Sequence, residues 1–148
     1  MYVIRLSWLI SLAITFFGFL IVHQLFETEV SGATGNLGFI GIIFLFPFIL
    51  LSLLTTFRYF LTVVRTGKKQ GKWLIIYGGL LLTALFLYLF IDMKKSMGAS
   101  LFEISEETGR LYFDVYTFGL IHSISGELGA LYGAFNPKNP EIDENPSN

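Results

Sequence analysis

The residues of this chain best suited to metal binding or acid–base chemistry are its two histidines and some of its aspartates and glutamates. His23 and Glu27 stand four residues apart, a spacing that would place both on one face of a helix. Two ligands do not complete a zinc site, so a metal would need a third ligand from His122 or from an acid elsewhere. We therefore predict no metal at this pair.

The other candidates for catalysis are not brought together by any sequence pattern. They are Glu103, Asp114, His122 and Glu127. The motifs HExxH, GxxxxGK[ST] and GxSxG do not occur, and the absence of cysteine removes disulfides, thiolate nucleophiles and cysteine-bound metals. We predict no catalytic residue, no cofactor and no enzymatic activity, and keep His122 and Glu127 as the two ionisable residues with a functional role still open.

The composition is that of a protein dissolved in lipid. Of the 148 residues, 53% are hydrophobic and only 14% are charged, whereas soluble domains average about 25% charged residues. The apolar residues form long blocks, which is the pattern of membrane-spanning segments. A net charge of −1 provides no broad basic surface, so nucleic acid is not an expected partner.

Three apolar blocks are each long enough to cross a hydrocarbon core of about 30 Å. The first covers residues 6–26. The second covers 37–64, with Pro47 at mid-span and an amphipathic extension that begins at Arg58. The third covers 73–91, is uncharged throughout and carries aromatic residues near both ends, as interfacial residues would be placed.

The first block has an alternative interpretation as a cleaved signal peptide. Arg5 would then be the charged start of that peptide, and the small residues at 31–33 would resemble a cleavage site. The distance from the apolar block to these small residues is long for a signal peptide, so we favour a membrane span. The remaining topology is the same under either interpretation.

The basic segment 65–72 predicts the orientation of the chain. Lysine and arginine collect in cytoplasmic loops, and six such residues lie on the side of this segment, while 27–36 contains none. We therefore predict that 1–5 and 65–72 are cytoplasmic and that 27–36 and 92–118 are external. The same charges would attract anionic lipid headgroups. The residues of this topology and headgroup set are Arg65, Lys68, Lys69 and Lys72.

The pattern changes after the third block. Residues 92–118 alternate apolar and polar positions around the turn sequence EETG, which predicts a β-hairpin. Residues 119–135 place apolar residues at helical spacing. Because an acid near the centre of a span opposes insertion, we favour a glycine-rich amphipathic helix here and keep a fourth span as the alternative. Residues 136–148 are rich in proline, asparagine and acid, and we expect them to be disordered.

Small residues recur at helical spacing in two segments and predict close helix packing. Such residues allow two membrane helices to approach closely. Either set would serve packing within the chain or contact with a partner, and the glycines have flexibility as an alternative role. The first set is Ser7, Ser11, Thr15 and Gly18, and the second is Gly126, Gly129 and Gly133.

The predicted fold is an all-α integral membrane protein, with three transmembrane helices followed by a small extracytoplasmic hairpin-plus-helix region. The expected function is that of a non-enzymatic accessory or helix-packing subunit of a larger membrane assembly. An oligomeric pore or small transporter is one alternative, and a membrane-embedded enzyme is another. The expected partners are membrane lipid and another membrane protein or a second copy. A composition rich in Phe and Ile and free of Cys suits a bacterial plasma membrane.

Overall fold

The computed structural model describes residues 2–30, 37–96 and 113–136, apart from the side chains of residues 27–30 and 69. These residues form helices, and no strand occurs among them. The all-α class is therefore confirmed. The four helices are α1 (Tyr2–Val30), α2 (Leu37–Thr66), α3 (Lys69–Ser96) and α4 (Val115–Phe135).

Helices α1, α2 and α3 are long and apolar enough to cross a membrane. They contain 29, 30 and 28 residues, which corresponds to lengths of about 42 to 45 Å at 1.5 Å per residue. Each helix is therefore longer than a hydrocarbon core of about 30 Å. The predicted architecture with three candidate spans is confirmed.

Helix α4 lies between α2 and α3 and packs against both, while α1 packs mainly on α2. Contacts at several levels show that α1 and α2 are antiparallel, as are α3 and α4, whereas α2 and α4 run in the same direction. The helices thus alternate up and down. The start of α1, the α2–α3 connection and the end of α4 lie at the same end of the bundle.

The basic segment is almost entirely helical. Helix α2 continues to Thr66 and α3 begins at Lys69, so that only Gly67 and Lys68 connect them. The Gly67 N–H donates to the Val63 carbonyl at 2.9 Å and closes the last turn of α2. Lysine and glutamine are good helix formers, which is why the predicted loop 65–72 is a two-residue corner between helix ends.

The region predicted as an external hairpin is helical at both of its ends. Helix α3 continues to Ser96, and α4 starts at Val115 instead of 119. Asp114 caps α4, since its Oδ1 accepts the Thr117 N–H at 2.7 Å. An aspartate at this position satisfies an otherwise unpaired amide, and this local signal outweighs the alternating pattern of the sequence. The EETG turn and residues 97–112 lie outside the described residues, as does the tail from 137.

Two buried clusters hold the bundle together. The larger one joins α1, α2 and α4 through Phe19, Val22, Phe26, Leu45 and Phe118. The smaller one joins α2, α3 and α4 through Val64, Ile76 and Ala130. Many large apolar side chains remain exposed on the outer surface, as expected for helices whose outer faces contact lipid.

Candidate functional site

Hydroxyl groups lie at the interface between α1 and α2. Ser11 and Thr15 of the predicted α1 stripe are buried there. Ser11 Oγ lies 2.6 Å from Thr55 Oγ1, and Thr15 Oγ1 donates to the Phe48 carbonyl at 3.0 Å. Farther along the stripe, Gly18 leaves space for the Leu45 side chain. Three members of the stripe therefore contact α2 within the chain.

The glycines of α4 also lie against α2. Gly126 faces the ring of Phe60, where a Cβ would come within 3.0 Å of the ring. At Gly129 and Gly133 the nearest atoms to a Cβ would be the backbone carbonyls of Phe57 and Leu61. The backbones of α2 and α4 approach each other closely along these three positions, and this face of α4 is covered by the chain itself.

His122 is buried, and both of its ring nitrogens have partners. Nδ1 lies 2.8 Å from the Phe118 carbonyl oxygen, which can only accept a hydrogen bond, so Nδ1 carries the hydrogen. Nε2 forms a hydrogen bond with the Ser52 hydroxyl, and in the neutral ring Nε2 is the acceptor. Through these two hydrogen bonds the ring connects α4 to α2.

The hydrogen bonds around Ser52 continue to α1. The Ser52 carbonyl accepts from Thr56 Oγ1 at 2.7 Å. Thr56 Oγ1 in turn accepts from the indole N–H of Trp8 at 3.1 Å. Because each donor in this series has an acceptor, these polar groups of α1, α2 and α4 satisfy one another inside the bundle.

Glu127 differs from these groups. It is only 9% exposed, and neither of its carboxyl oxygens has a hydrogen-bond partner among the described residues. The carboxyl group points toward α3, where a Cβ added at Gly79 would collide with Oε2. Gly79 therefore provides the space that the carboxyl group occupies.

Glu127 and His122 line the same cavity, which has a volume of about 440 Å³ and is bordered by all four helices. Most of its wall is apolar and aromatic. The polar groups of the wall are Thr56, Ser123, His122 and Glu127, and the aromatic side chains are Trp8, Phe16, Phe60, Phe86 and Phe118. The structure thus brings together the two ionisable residues singled out from the sequence, in a cavity of the size that takes a small organic ligand.

A second cavity of about 420 Å³ lies at the basic end of the bundle, between α1 and α2. Arg58 and Arg65 line it together with the hydroxyls of Ser7, Thr55 and Thr62. Of the predicted headgroup set, only Arg65 belongs to this cavity. Lys68 is exposed, Lys72 is half-buried, and the side chain of Lys69 is outside the described part.

Four contributors to these sites were not among the predicted site residues: Trp8, Ser52, Arg58 and Gly79. The spacing of seven residues between Arg58 and Arg65 was a signal for a shared helix face. Gly79 was visible only as a small residue, and its relation to Glu127 depends on how α3 meets α4. Ser52 and Trp8 carry no signal of their own, because their roles come from contacts with residues far along the chain.

No three His, Cys, Asp or Glu side chains are close enough to hold a metal ion in the described ranges. No protein-family model, curated protein or solved structure matches the chain. Function must therefore be inferred from the chain's own geometry.

Proposed function

We propose that the chain is a non-enzymatic accessory subunit that packs against another membrane helix through the outer face of α3. This α3 outer face consists of Gly71, Leu74, Gly78, Leu81 and Leu85, which recur at heptad-like spacing. The observation that carries the proposal is the open space at its two glycines. A Cβ at Gly71 or Gly78 would meet no atom of the described residues within 4 Å.

Glycine at these positions has no use within the described bundle. Glycine inside a helix costs about 1 kcal/mol relative to alanine. At Gly79, Gly126 and Gly129 the small size is used, because a neighbouring group occupies the space of the missing Cβ. Gly78 is different, because its open side is bordered by Leu74 and Leu81, which are 74% and 71% exposed.

We call the open space at Gly78, between Leu74 and Leu81, the notch. Contact with lipid alone does not explain why this position is glycine. A leucine-rich surface is as well solvated by acyl chains as by another helix, whereas small residues let a second backbone approach closely. The glycines of α4 and most of the α1 stripe face α2, so they support packing within the chain. The α3 outer face remains as the surface for a partner, either a second copy or a different membrane protein.

The alternatives have less support in the geometry. A pore needs polar groups along a passage, whereas the wall of the 440 Å³ cavity is mostly apolar. An enzyme needs several acids and bases that act together, and in the described part of the cavity only Glu127 is unengaged. Both ring nitrogens of His122 are engaged, and Asp114 caps α4.

We also propose a bacterial plasma membrane with the N-terminus in the cytoplasm. This orientation is supported by the position of Arg65, Lys68 and Lys72, which lie at the same end of the bundle as the start of α1. Arg58 and Arg65 would contact anionic lipid headgroups on that side.

A crosslinking experiment tests the α3 outer face. The chain has no cysteine, so Leu81→Cys can carry a single photoreactive group in native membranes. We expect a crosslinked protein product of defined mass, which identifies either a second copy or another partner. In the background of Gly78→Leu this product should be lost, because the added side chain fills the notch.

Ala84→Leu is the matched control, since Ala84 is exposed on α3 and lies about 120° around the helix from Gly78. It should leave the crosslink intact. Crosslinks from Leu81→Cys to lipid alone, or a protein product that persists in Gly78→Leu, would contradict the proposal.

A further inference from the structure

We infer that the cavity around Glu127 is a binding site for a lipophilic organic cation, with the Glu127 carboxylate as its counter-ion. The inference stands on the cavity and does not depend on the α3 outer face. It begins with the state of the carboxyl group, which is nine-tenths buried and has both oxygens without a partner among the described residues. A buried charge without a partner is costly, as is an unpaired neutral carboxyl group.

No described group in the wall of the cavity neutralises the Glu127 carboxyl group or forms a hydrogen bond with it. The lining contains no lysine or arginine among the described residues. Both ring nitrogens of His122 are engaged, by the Phe118 carbonyl and by Ser52, and neither bonds to the Glu127 carboxyl group. Gly79 leaves space for the carboxyl group without offering a donor to it. The described residues therefore supply no partner for this carboxyl group, and we assign that role to a bound ligand.

The depth of Glu127 along the bundle raises the free-energy cost of leaving its carboxyl group unpaired. Gly79, which it meets, lies three residues from the middle of the predicted 73–91 span, or about 5 Å along the helix axis. An ionisable group at such a depth is expensive and is generally retained for a functional reason. Helix α4 is packed beside the apolar segments of α2 and α3 at this level, so the carboxyl group lies within the membrane layer.

The shape and wall of the cavity select the kind of ligand. A volume of about 440 Å³ falls in the range of sites for small organic molecules. The wall carries the aromatic rings of Trp8, Phe16, Phe60, Phe86 and Phe118, and aromatic faces attract cations and also cover apolar groups. The apolar body of a lipophilic cation would contact the aromatic wall, and its charge would pair with the Glu127 carboxylate.

Other ligands fit less well. A metal ion would find a single carboxylate and no cluster of three ligating side chains among the described residues, whereas calcium takes six to eight oxygens. Water would find few polar partners in a wall of this kind. An anion would be repelled by Glu127, and an acyl chain would leave its oxygens unpaired.

The packing of the helices provides a route from the bilayer. Trp8, Leu12 and Phe16 of α1 border one side of the cavity, and Gly79 and Leu82 of α3 border another. Helices α1 and α3 have little or no direct contact with each other. A lipophilic cation dissolved in the membrane would reach Glu127 through the gap between these two helices.

Binding of tetraphenylphosphonium to the full chain in lipid nanodiscs tests the inference, with empty nanodiscs subtracted. Tetraphenylborate is the matched probe, because it has the same shape and the opposite charge. We expect saturable binding of the cation near one per chain and none of the anion. In Glu127→Gln the affinity for the cation should fall roughly 10- to 100-fold, as expected for the loss of a charged partner.

A second pair of variants keeps the test valid if Glu127→Gln fails to fold. Leu82 lines the cavity, so Leu82→Trp should weaken binding by narrowing it, whereas Leu80→Trp is the control at an exposed position outside the lining. The inference would be overturned if the cation showed no saturable binding. A carboxyl group that exchanges only protons would give that result. Equal binding of both probes, or unchanged binding in Glu127→Gln and Leu82→Trp, would overturn it as well.

Discussion

At the scale of single residues, the same amino acid has opposite roles at different positions of this chain. Gly129 lies on the α2 side of α4, where a Cβ would collide with the Phe57 carbonyl. Gly71 faces open space on α3. Gly129 is needed because its small size lets the backbones of α2 and α4 approach each other. Gly71 has no such role within the described bundle, where it only lowers the helix propensity of α3.

This contrast gives a first prediction. Gly129→Ala should destabilise the folded bundle by about 1 to 3 kcal/mol or more, because the carbonyl in its way belongs to the backbone and cannot turn aside. Gly71→Ala, the control, should be neutral or stabilising by up to about 1 kcal/mol. Unfolding in mixed micelles measures both changes. Equal stabilities of the two variants would show that α4 does not pack on α2 as described.

A second prediction concerns the hydrogen bond between Ser52 and His122. Ser52→Ala leaves Nε2 of a buried ring without its donor, and we expect a loss of about 1 kcal/mol, which is typical of polar contacts between membrane helices. Thr62→Ala is the control, because Thr62 bonds only within its own helix, to the Arg58 carbonyl. If both variants unfold at the same denaturant concentration, the bond between α2 and α4 contributes nothing.

At the scale of elements, α4 is the helix that joins the others. It packs against α2 and α3, which have little contact with each other. Toward the C-terminal end of α4, Ala130 is 1% exposed and clusters with Val64 of α2 and Ile76 of α3. A larger side chain at this point must push at least one of the two neighbouring helices away.

Ala130→Leu should therefore cost about 1 to 3 kcal/mol of stability through overpacking. The same substitution at Ala84, which is exposed on α3, should cost much less. Mixed-micelle unfolding with a probe on α3 also shows whether α3 separates first. A tolerated Ala130→Leu would mean that α4 does not fill the space between α2 and α3.

The three apolar helices could be predicted from the sequence, whereas the place of α4 could not. Length and apolar content depend only on local composition, and they define α1, α2 and α3. Glu127 and His122 made α4 look unsuited to the bilayer, yet the neighbouring helices cover both side chains. The pairing of Glu127 with Gly79, and of His122 with Ser52, depends on long-range packing that leaves no periodic signal in either segment.

At the scale of the whole molecule, the alternating helices place the start of α1 and the end of α4 at the same end of the bundle. This arrangement predicts that both termini are on one side of the membrane. Reporters fused before Met1 and after Asn148 should both give the cytoplasmic signal, because the basic residues at that end favour the cytoplasm. Opposite signals from the two fusions would show that α4 does not cross the membrane beside α3.

The central claim is that α1, α2 and α3 lie in a lipid bilayer, and cysteine labelling of α3 tests it most directly. Single cysteines can be placed at Gln70, Leu80 and Asp92 in the cysteine-free chain, where 70 and 92 are about 33 Å apart along the helix. In membrane fragments open on both sides, a water-soluble maleimide should react at 70 and 92, and at 80 only after the protein is denatured. Labelling at 80 as fast as at 70 and 92 in intact membranes would contradict the claim.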